Sequence, residues 1–421
     1  MTAKLQTYSR KLGQRARQIS HEVRKSSHTQ RVGFLKNLAG MIHESRDQVL
    51  RANRRDLAAG KRGGMSGAML DRLMLDDKRL DGMVNGVLDI AKLPEPLGRE
   101  LSSYLRKDKL SIRRFSVPIG SIFFIFESRP NVAVDGAALC IKSGNTVILR
   151  GGKESACSNR ALVAIIRRAL RKSGISADAA QLVNTADYRV VNCLLADTGN
   201  IDLVIPRGGE RLIQAVVEKA RVPVIKHYKG VCHIYLDKSA DMGKAGEIIL
   251  NAKIQRPGVC NAMETLLIDK KAAKGKVLGI LNSLRQRGVD LRGCPLTRNI
   301  LPGINKARAG DWDEEYLDLR LSVRIVDGAK GAVEHVRRHG SGHTDAILAQ
   351  SALAQKIFVD NVDSSSIMIN ASTRFSDGGE YGLGAEVGIS TDKLHARGPM
   401  GIESLTTYQW RVEGNGHIRG G

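Results

Sequence analysis

The sequence predicts an α/β protein built on parallel sheets with helices over both faces. Three observations lead there. Short apolar segments of strand length alternate with amphipathic segments of helix length from about residue 119 to residue 370. The apolar segments are continuous runs rather than alternating ones, as strands buried on both faces require. Glycine, proline and asparagine mark the changes of period. At 421 residues the chain can hold two or three domains and bury a large core.

In chain order, residues 2–30 carry Lys4, Arg10, Lys11, Arg15, Arg17, Arg24 and Lys25, with no acid before Glu22. Such a start fits a transit peptide or the first helix of a domain. The helical spacing continues through residues 32–42 without a cleavage-like break, which favours the helix. Helices run on to about Ile90, and Pro94-Glu-Pro96 ends them. At Leu110 the period changes: 111–118 reads as an exposed strand and 119–126 as a buried one. Residues 131–142 form a helix stopped by Gly144-Asn145, and 146–149 a strand. Residues 155–172 form a helix closed by Gly174, with Arg171 and Lys172 near its negative end. Strands at 181–183, 201–205, 222–225 and 232–236 alternate with helices near 187–197, 209–220 and 241–252. The alternation resumes with strand 265–268, a helix near 273–287, strand 322–326, a helix near 330–339 and strand 367–370. No repeat of 20–50 residues and no low-complexity tract is visible.

Composition narrows the classes of function. Hydrophobic residues at 42% and charged ones at 26% describe a soluble globular chain. The longest apolar run, 117–126, is broken by Pro118, Gly120 and Ser121, so no membrane association is expected. Six cysteines between Cys140 and Cys294 show no CxxC and no metal spacing, which predicts reduced thiols in a cytosol and no metal cofactor. The net charge of +23 would suit nucleic acid only if gathered on a face or interleaved with aromatics. Here Lys and Arg are scattered and aromatics are 4%, so no nucleic-acid partner is expected. A generally basic surface accounts for the total, and a phosphorylated ligand for some of it locally.

Four stretches carry chemistry. Asn251-Ala-Lys-Ile-Gln-Arg-Pro-Gly-Val-Cys260 breaks a helix at Pro257-Gly258 and delivers one thiol just before a strand. Lys253 and Arg256 lie close in sequence, and cations favour thiolate; the alternative is a buried core cysteine. There is no GxGxxG. Instead, Leu149-Arg-Gly-Gly-Lys153 and Pro206-Arg-Gly-Gly-Glu210 each set paired glycines and cations between a strand and a helix. Both suit a dinucleotide laid across the carboxyl edge of a sheet, or are ordinary glycine turns. In Glu127-Ser-Arg-Pro-Asn131, Asn131 caps a helix or offers its amide to a developing oxyanion. Asn370-Ala-Ser-Thr-Arg-Phe-Ser-Asp-Gly-Gly379 reads as a loop for a carboxylate or phosphate, or as a solvated turn.

Taken together, these stretches resemble the gamma-glutamyl phosphate reductases, a branch of the aldehyde dehydrogenase superfamily, over roughly residues 1–410. The most specific matches are Glu127-Ser-Arg-Pro-Asn-Val132, Val147-Ile-Leu-Arg-Gly-Gly-Lys-Glu154, Ile205-Pro-Arg-Gly-Gly209, Gly230-Val-Cys-His-Ile-Tyr235 and Gln255-Arg-Pro-Gly-Val-Cys-Asn261 with Glu264. Ser372-Thr-Arg-Phe375 and Gly382-Leu-Gly-Ala-Glu386, running into Lys393-Leu-His-Ala-Arg-Gly-Pro-Met400, complete them.

The resemblance implies two Rossmann-like parallel-sheet domains and a small oligomerisation strand region. It places an NADP-binding domain at 1–230 (with 100–116 in an oligomerisation hairpin), a catalytic domain at 231–370, and a return to the cofactor domain at 371–421. It implies NADPH-dependent reduction of L-glutamyl 5-phosphate to L-glutamate 5-semialdehyde with release of phosphate, the second step from glutamate to proline. Cys260 is then the nucleophile that carries a thioacyl group, and Asn131 the oxyanion amide. Arg150, Gly151, Gly152, Lys153, Arg207, Gly208 and Gly209 fall to the cofactor, Arg150 suiting a 2′-phosphate, and Glu315 to the nicotinamide ribose. Glu127, Arg129, Arg256, Ser372, Thr373 and Arg374 fall to the substrate.

Two departures from ordinary aldehyde dehydrogenases stand out. Where those carry Glu-Leu-Gly-Gly-Lys, this chain has His227-Tyr-Lys-Gly-Val231, which removes the glutamate that activates water. An enzyme whose acyl acceptor is phosphate has no use for that base. Arg211 also stands where a small residue is expected. The alternative is a hydrolytic or CoA-acylating aldehyde dehydrogenase. A homo-oligomer is expected, with glutamate 5-kinase a candidate partner. The other five cysteines are expected to be structural, and His395 and Arg397 to pack, lie at an interface or act in catalysis.

Overall fold

The apolar runs before and after about residue 227 build separate parallel sheets in the computed structural model. It describes residues 3–272 and 274–419. Residues 1, 2, 273, 420 and 421, where the outer domain limits and one helix start were expected, lie outside the described residues. One compact unit comprises Met1–Lys226, Gly382–Gly388 and Met400–Gly421; the other comprises His227–Tyr381 and Ile389–Pro399.

The first unit opens with helices Ala3–Lys25, His28–Glu44, Arg46–Arg62, Gly67–Leu73 and Asp77–Lys92. The basic start is a packed helix: Ala16, Ile19 and Val23 are buried. Its Leu12 and Ala16 carbonyls accept from Gln181 Nε2 (3.1 Å) and Thr146 Oγ1 (3.2 Å). Ser27 and Gln30 close a capping box on the second helix, and the Asp76 side chain caps the fifth.

Four parallel strands of this unit lie in the order Ala180–Leu182, Thr146–Arg150, Ser121–Phe126, Leu203–Arg207. All six residues of Ser121–Phe126 are buried, each large apolar side chain contributing about 1.5–3 kcal/mol. The chain fills one side of Ser121–Phe126 first and then crosses to the other. The strand order therefore reverses between Ser121–Phe126 and Leu203–Arg207, the crevice where open α/β sheets take ligands. The strand expected at 222–225 is a single bridge between Val204 and Val224. Pro223 brings no N–H, so the ladder stops there.

A second sheet in this unit is antiparallel, with Ser111–Pro118 between Glu100–Leu105 and Thr406–Glu413. Glu100–Leu105 is exposed throughout, and Thr406–Glu413 nearly so.

The second unit holds a seven-stranded sheet, every neighbouring pair parallel. Their order is Asn305–Lys306, Asp290–Gly293, Arg320–Val326, Met263–Asp269, Cys232–Leu236, Thr344–Leu348, Ser366–Ile369. The three strands Met263–Asp269, Cys232–Leu236 and Thr344–Leu348 are buried at every position. Strand Thr344–Leu348 has no counterpart in the sequence reading, because Asp345 interrupts its apolar pattern. That carboxylate is fully buried and bonds the His233 N–H (2.9 Å) and Nδ1 (2.8 Å) on the adjacent strand. Among the described residues no helix is long and apolar enough to cross a membrane.

One buried carboxylate ties two helices of the first unit together. Asp56, on Arg46–Arg62 and 5% exposed, accepts from the Cys157 N–H (3.1 Å) and from the Ser158 N–H and hydroxyl (both 2.7 Å) at the start of Ala156–Lys172. Asp56→Ala strands those donors and is expected to cost roughly 2 kcal/mol. Urea unfolding of the two proteins measures it, and an unchanged midpoint would contradict the capping role.

Candidate active site

Helix Met242–Ile254 gives way at Pro257-Gly258, and residues 255–262 lead into strand Met263–Asp269. Cys260 lies on this loop, partly buried. The loop is held from several sides. Buried Asn261 donates from Nδ2 to the Ser376 carbonyl (2.9 Å), and its Oδ1 accepts from Arg374 Nη1. Arg374 Nε in turn donates to Gln255 Oε1 (2.8 Å). The Cys232 thiol donates to the Cys260 carbonyl (3.2 Å). Gly230 lies so close that a Cβ there would overlap the Cys260 backbone, so glycine is required. The Gly230 N–H donates to Glu315 Oε1 (2.9 Å). Glu315, expected at the nicotinamide ribose, thus also fastens the turn beside the thiol.

Sheet topology gathers two imidazoles at the same point. His227, Cys260 and His343 each precede one of three neighbouring parallel strands, and their ring nitrogens and sulfur lie within 4.8 Å of one another. His227 Nδ1 is 2.9 Å from the Ile389 carbonyl. A carbonyl only accepts, so Nδ1 bears the proton and Nε2 the lone pair. His343 is buried, with Nδ1 2.9 Å from Thr344 Oγ1 and 3.7 Å from Cys232 Sγ. The two rings meet edge to face, with centroids 5.7 Å apart. Neither histidine is singled out by the sequence. Position 227 drew notice only for the glutamate it lacks, and nothing local marks His343.

The cation expected to serve the thiol from Lys253 is committed elsewhere. Its Nζ lies 2.6 Å from Glu264 Oε2, with both side chains fully buried. Glu264 Oε1 accepts the Leu317 N–H (3.1 Å). Burial pushes the Glu264 carboxyl up to about 7 despite Lys253, and burial lowers the Lys253 ammonium. The pair staples the helix before the loop to the strand after it. Burial, and then the charge of Arg256, lower the Arg374 pKa. Arg256 itself is exposed. Ser372 and Thr373 are buried, and the Ser372 hydroxyl accepts the Arg374 N–H (3.3 Å). Of the three residues expected to bind substrate from this turn, Arg374 is the one set beside the thiol loop.

In the first unit the glycine-paired loops differ from each other. Ahead of Ala156–Lys172 the helix start is filled by Asp56. A Cβ at Gly151 would strike Asn159, and one at Gly152 would strike Glu154. Arg150 is 2% exposed and stacks on Tyr188, its guanidinium carbon 4.5 Å from the ring centroid. Arg150, Gly151 and Gly152 are thus closely packed, and the N–H groups at this helix start already have an anion in Asp56. Lys153 is exposed at the loop's tip.

The other loop sits at the strand-order reversal. The Gly209 N–H donates to Glu127 Oε2 (3.0 Å), and a Cβ at Gly208 would strike that carboxylate. Gly208 and Gly209 are exposed, and Arg207 is partly buried 3.9 Å from Glu386. Glu127, expected at the substrate, is tied to this turn. A phosphate at Gly209 would have to displace it. The backbone here is exposed beside Arg207, unlike that of the packed Gly151-Gly152 loop.

Between Glu127 and Asn131 the chain is strained at Ser128, whose φ is 43°. Glu154 Oε1 holds it by accepting from its N–H (2.8 Å) and hydroxyl (2.9 Å). Arg129 follows, partly buried. Asn131 makes no capping bond; the cap position is Pro130. Its Nδ2 donates to Asp135 Oδ2 (3.0 Å), which fixes the end of the amide that bears hydrogen. Loss of solvent raises the Asp135 carboxyl from 3.8 to about 6, against the pull of Asn131 and Arg207.

Residues 6–290 match the family model described as the aldehyde dehydrogenase family. The chain is 47% identical over 407 residues to a gamma-glutamyl phosphate reductase of Moorella thermoacetica, a match covering 97% of each chain. The crystal structure of a gamma-glutamyl phosphate reductase from Thermotoga maritima is 41% identical with a TM-score of 0.96, covering 98% of this chain and all of that one. An acetylating aldehyde dehydrogenase from Geobacillus thermoglucosidasius, at 14% identity and a TM-score of 0.71 over 99% of each chain, shares the fold.

Two measurements test this electrostatic framework. Lys253→Met leaves a buried carboxylate unpaired and is expected to cost about 3–5 kcal/mol, while Lys253→Met with Glu264→Leu recovers most of it. Chemical denaturation of the single and double variants decides; equal losses would show that the pair is not a unit. Asp135 has its folded-state pKa raised, so its contribution is full below pH 3.8 and is lost as pH rises through about 6. Asp135→Asn should therefore gain about 1–3 kcal/mol over the wild type between pH 4 and 7, read from melting temperature against pH.

Proposed function

The chain belongs to the aldehyde dehydrogenase family, in its gamma-glutamyl phosphate reductase branch, and on that premise we propose that it reduces L-glutamyl 5-phosphate to L-glutamate 5-semialdehyde with NADPH, releasing phosphate. This is the second step from glutamate to proline. The reading is carried by Cys260 on its stapled loop, with an imidazole, His227, where hydrolytic relatives carry a water-activating glutamate.

The Cys260 thiol passes its proton to His227 Nε2, the nitrogen left with a lone pair by the Ile389 bond. The sulfur adds to the acyl carbon, and the carbon–oxygen bond to phosphate breaks with its electron pair leaving on phosphate. An acyl group now rests on Cys260 as a thioester. With no carboxylate at position 227, water is not recruited to hydrolyse it. The reduced nicotinamide, when bound, supplies hydride to that thioester. The tetrahedral oxygen so formed is assigned to the Cys260 N–H and to Asn131, whose amide Asp135 orients. Collapse breaks the carbon–sulfur bond, frees the aldehyde, and returns the proton from His227 to sulfur.

Lys153, Arg207, Gly208 and Gly209 are the residues we assign to the NADPH phosphates, and Arg374 to an anionic group of the substrate. The exposed strands Glu100–Leu105 and Thr406–Glu413, with Leu105, Tyr408 and Trp410 uncovered, support assembly with further copies of the chain. Six cysteines without a disulfide support a reducing compartment, the cytoplasm.

In the oxidative direction, turnover of glutamate semialdehyde should require phosphate or arsenate together with NADP. Turnover without either anion would support the hydrolytic or CoA-acylating alternative. Cys260→Ser is expected to lose at least about 1,000-fold in kcat, and His227→Gln about 100- to 10,000-fold. Normal turnover by Cys260→Ser would refute the nucleophile.

A further inference from the structure

The proposed reaction uses one imidazole beside Cys260, yet the sheet delivers two. We propose that Cys260, His227 and His343 form a binding site for a borderline-soft divalent cation of the Zn2+ class, and that its occupancy silences the thiol. The cation is not a cofactor of the reaction but a reversible block on it. The site needs only one thiol and two imidazoles, so it does not rest on the substrate assigned above.

The donor set is the first argument. One sulfur and two ring nitrogens match what Zn2+ and Co2+ select over Mg2+ or Ca2+. The three atoms lie within 4.8 Å of one another. Donors on a tetrahedral zinc, at about 2.3 Å for sulfur and about 2.0–2.1 Å for nitrogen, stand roughly 3.3–3.6 Å apart. Closing the difference takes about an ångström, within reach of small side-chain rotations.

Orientation is the second argument. A metal-bound imidazole characteristically gives its other ring nitrogen to a carbonyl or a polar side chain. His227 Nδ1 donates to the Ile389 carbonyl (2.9 Å), and His343 Nδ1 bonds with Thr344 Oγ1 (2.9 Å). Nε2 is then the nitrogen His227 offers, and His343 offers Nε2 in the tautomer whose Nδ1 donates to the Thr344 hydroxyl. Both rings, and the thiol, stand just ahead of three hydrogen-bonded neighbouring strands, which sets their backbones side by side. His227 and Cys260 are partly exposed, which gives the ion a way in.

Opposing charge sets the strength. Arg256 and Arg374 disfavour a dication, and the thiolate formed on binding offsets one unit of charge. Only three protein donors are present, which leaves a fourth position to water. A dissociation constant on the order of 1–10 μM is therefore expected, far weaker than a structural zinc site. Coordination releases the thiol proton, so affinity rises with pH.

Titration of the full-length chain with Co2+ tests the proposal. One equivalent should bind with a thiolate-to-cobalt charge-transfer band and ligand-field bands of four-coordinate cobalt, and Zn2+ should bleach both. Cys260→Ser should abolish the charge-transfer band, and His227→Gln and His343→Gln should each weaken binding at least about tenfold. Cys232 is the rival ligand, its sulfur 3.7 Å from His343 Nδ1, so Cys232→Ser must leave the band in place. Because a change at buried His343 could unfold the chain, the unmodified protein supplies a second readout. Zn2+ should slow iodoacetamide labelling of the Cys260 peptide at least about tenfold, followed by mass spectrometry. Absence of saturable cobalt binding, a band that survives Cys260→Ser or vanishes in Cys232→Ser, or unslowed labelling would each overturn the site.

Discussion

Parallel hydrogen bonding of Cys232–Leu236 to Met263–Asp269 on one side and Thr344–Leu348 on the other is the constraint on which the chemistry depends. Neighbouring parallel strands start at one edge of the sheet, so whatever precedes them is brought together. Here that is His227 and Gly230, Cys260, and His343. Register is part of the constraint, because a slip of one residue would turn every side chain to the opposite face. His233 paired with Thr265 and Asp345, and the buried His233–Asp345 bonds, resist such a slip.

A loop at a sheet edge ordinarily makes few contacts, and this one is tied at several points. The Lys253–Glu264 pair joins its two ends, Asn261 and Arg374 tie its middle to residues 372–376, and Gly230 lets a neighbouring backbone lie against Cys260. Burying two charges costs solvation that their attraction repays only when geometry is good. The pair's value here is position: it fixes the two ends of the loop that carries the thiol.

The electrostatics of the first unit follow from a similar economy. Helix starts attract anions, and in a chain of net charge +23 the anions supplied are its own carboxylates. Asp56 fills one helix start, Glu127 bonds the Gly209 N–H at another, and Glu154 holds the strained Ser128. Similar Gly-Gly sequences therefore serve different ends. One is closed by packing against Asn159 and Phe126, while the other is exposed at the reversal of strand order. Local sequence cannot distinguish them, because the filling carboxylate comes from a distant helix or an adjoining strand.

Much was legible in the residues themselves. The helix at Asn131–Lys142, the strands Thr146–Arg150 and Met263–Asp269, and the loop that presents Cys260 follow from period, from Pro257-Gly258 and from glycine stops, all local effects of backbone sterics and burial. The sequence alone also determined the family, through long motifs in a fixed order. What it left open were pairings between residues far apart in the chain. Strand Thr344–Leu348 was hidden by a buried charge whose partner lies on another strand, Lys253 was promised to the thiol but taken by Glu264, and His343 carried no local mark at all. Such choices belong to tertiary structure because a side chain's partner is set by which strands lie side by side, and that order is decided by the whole sheet.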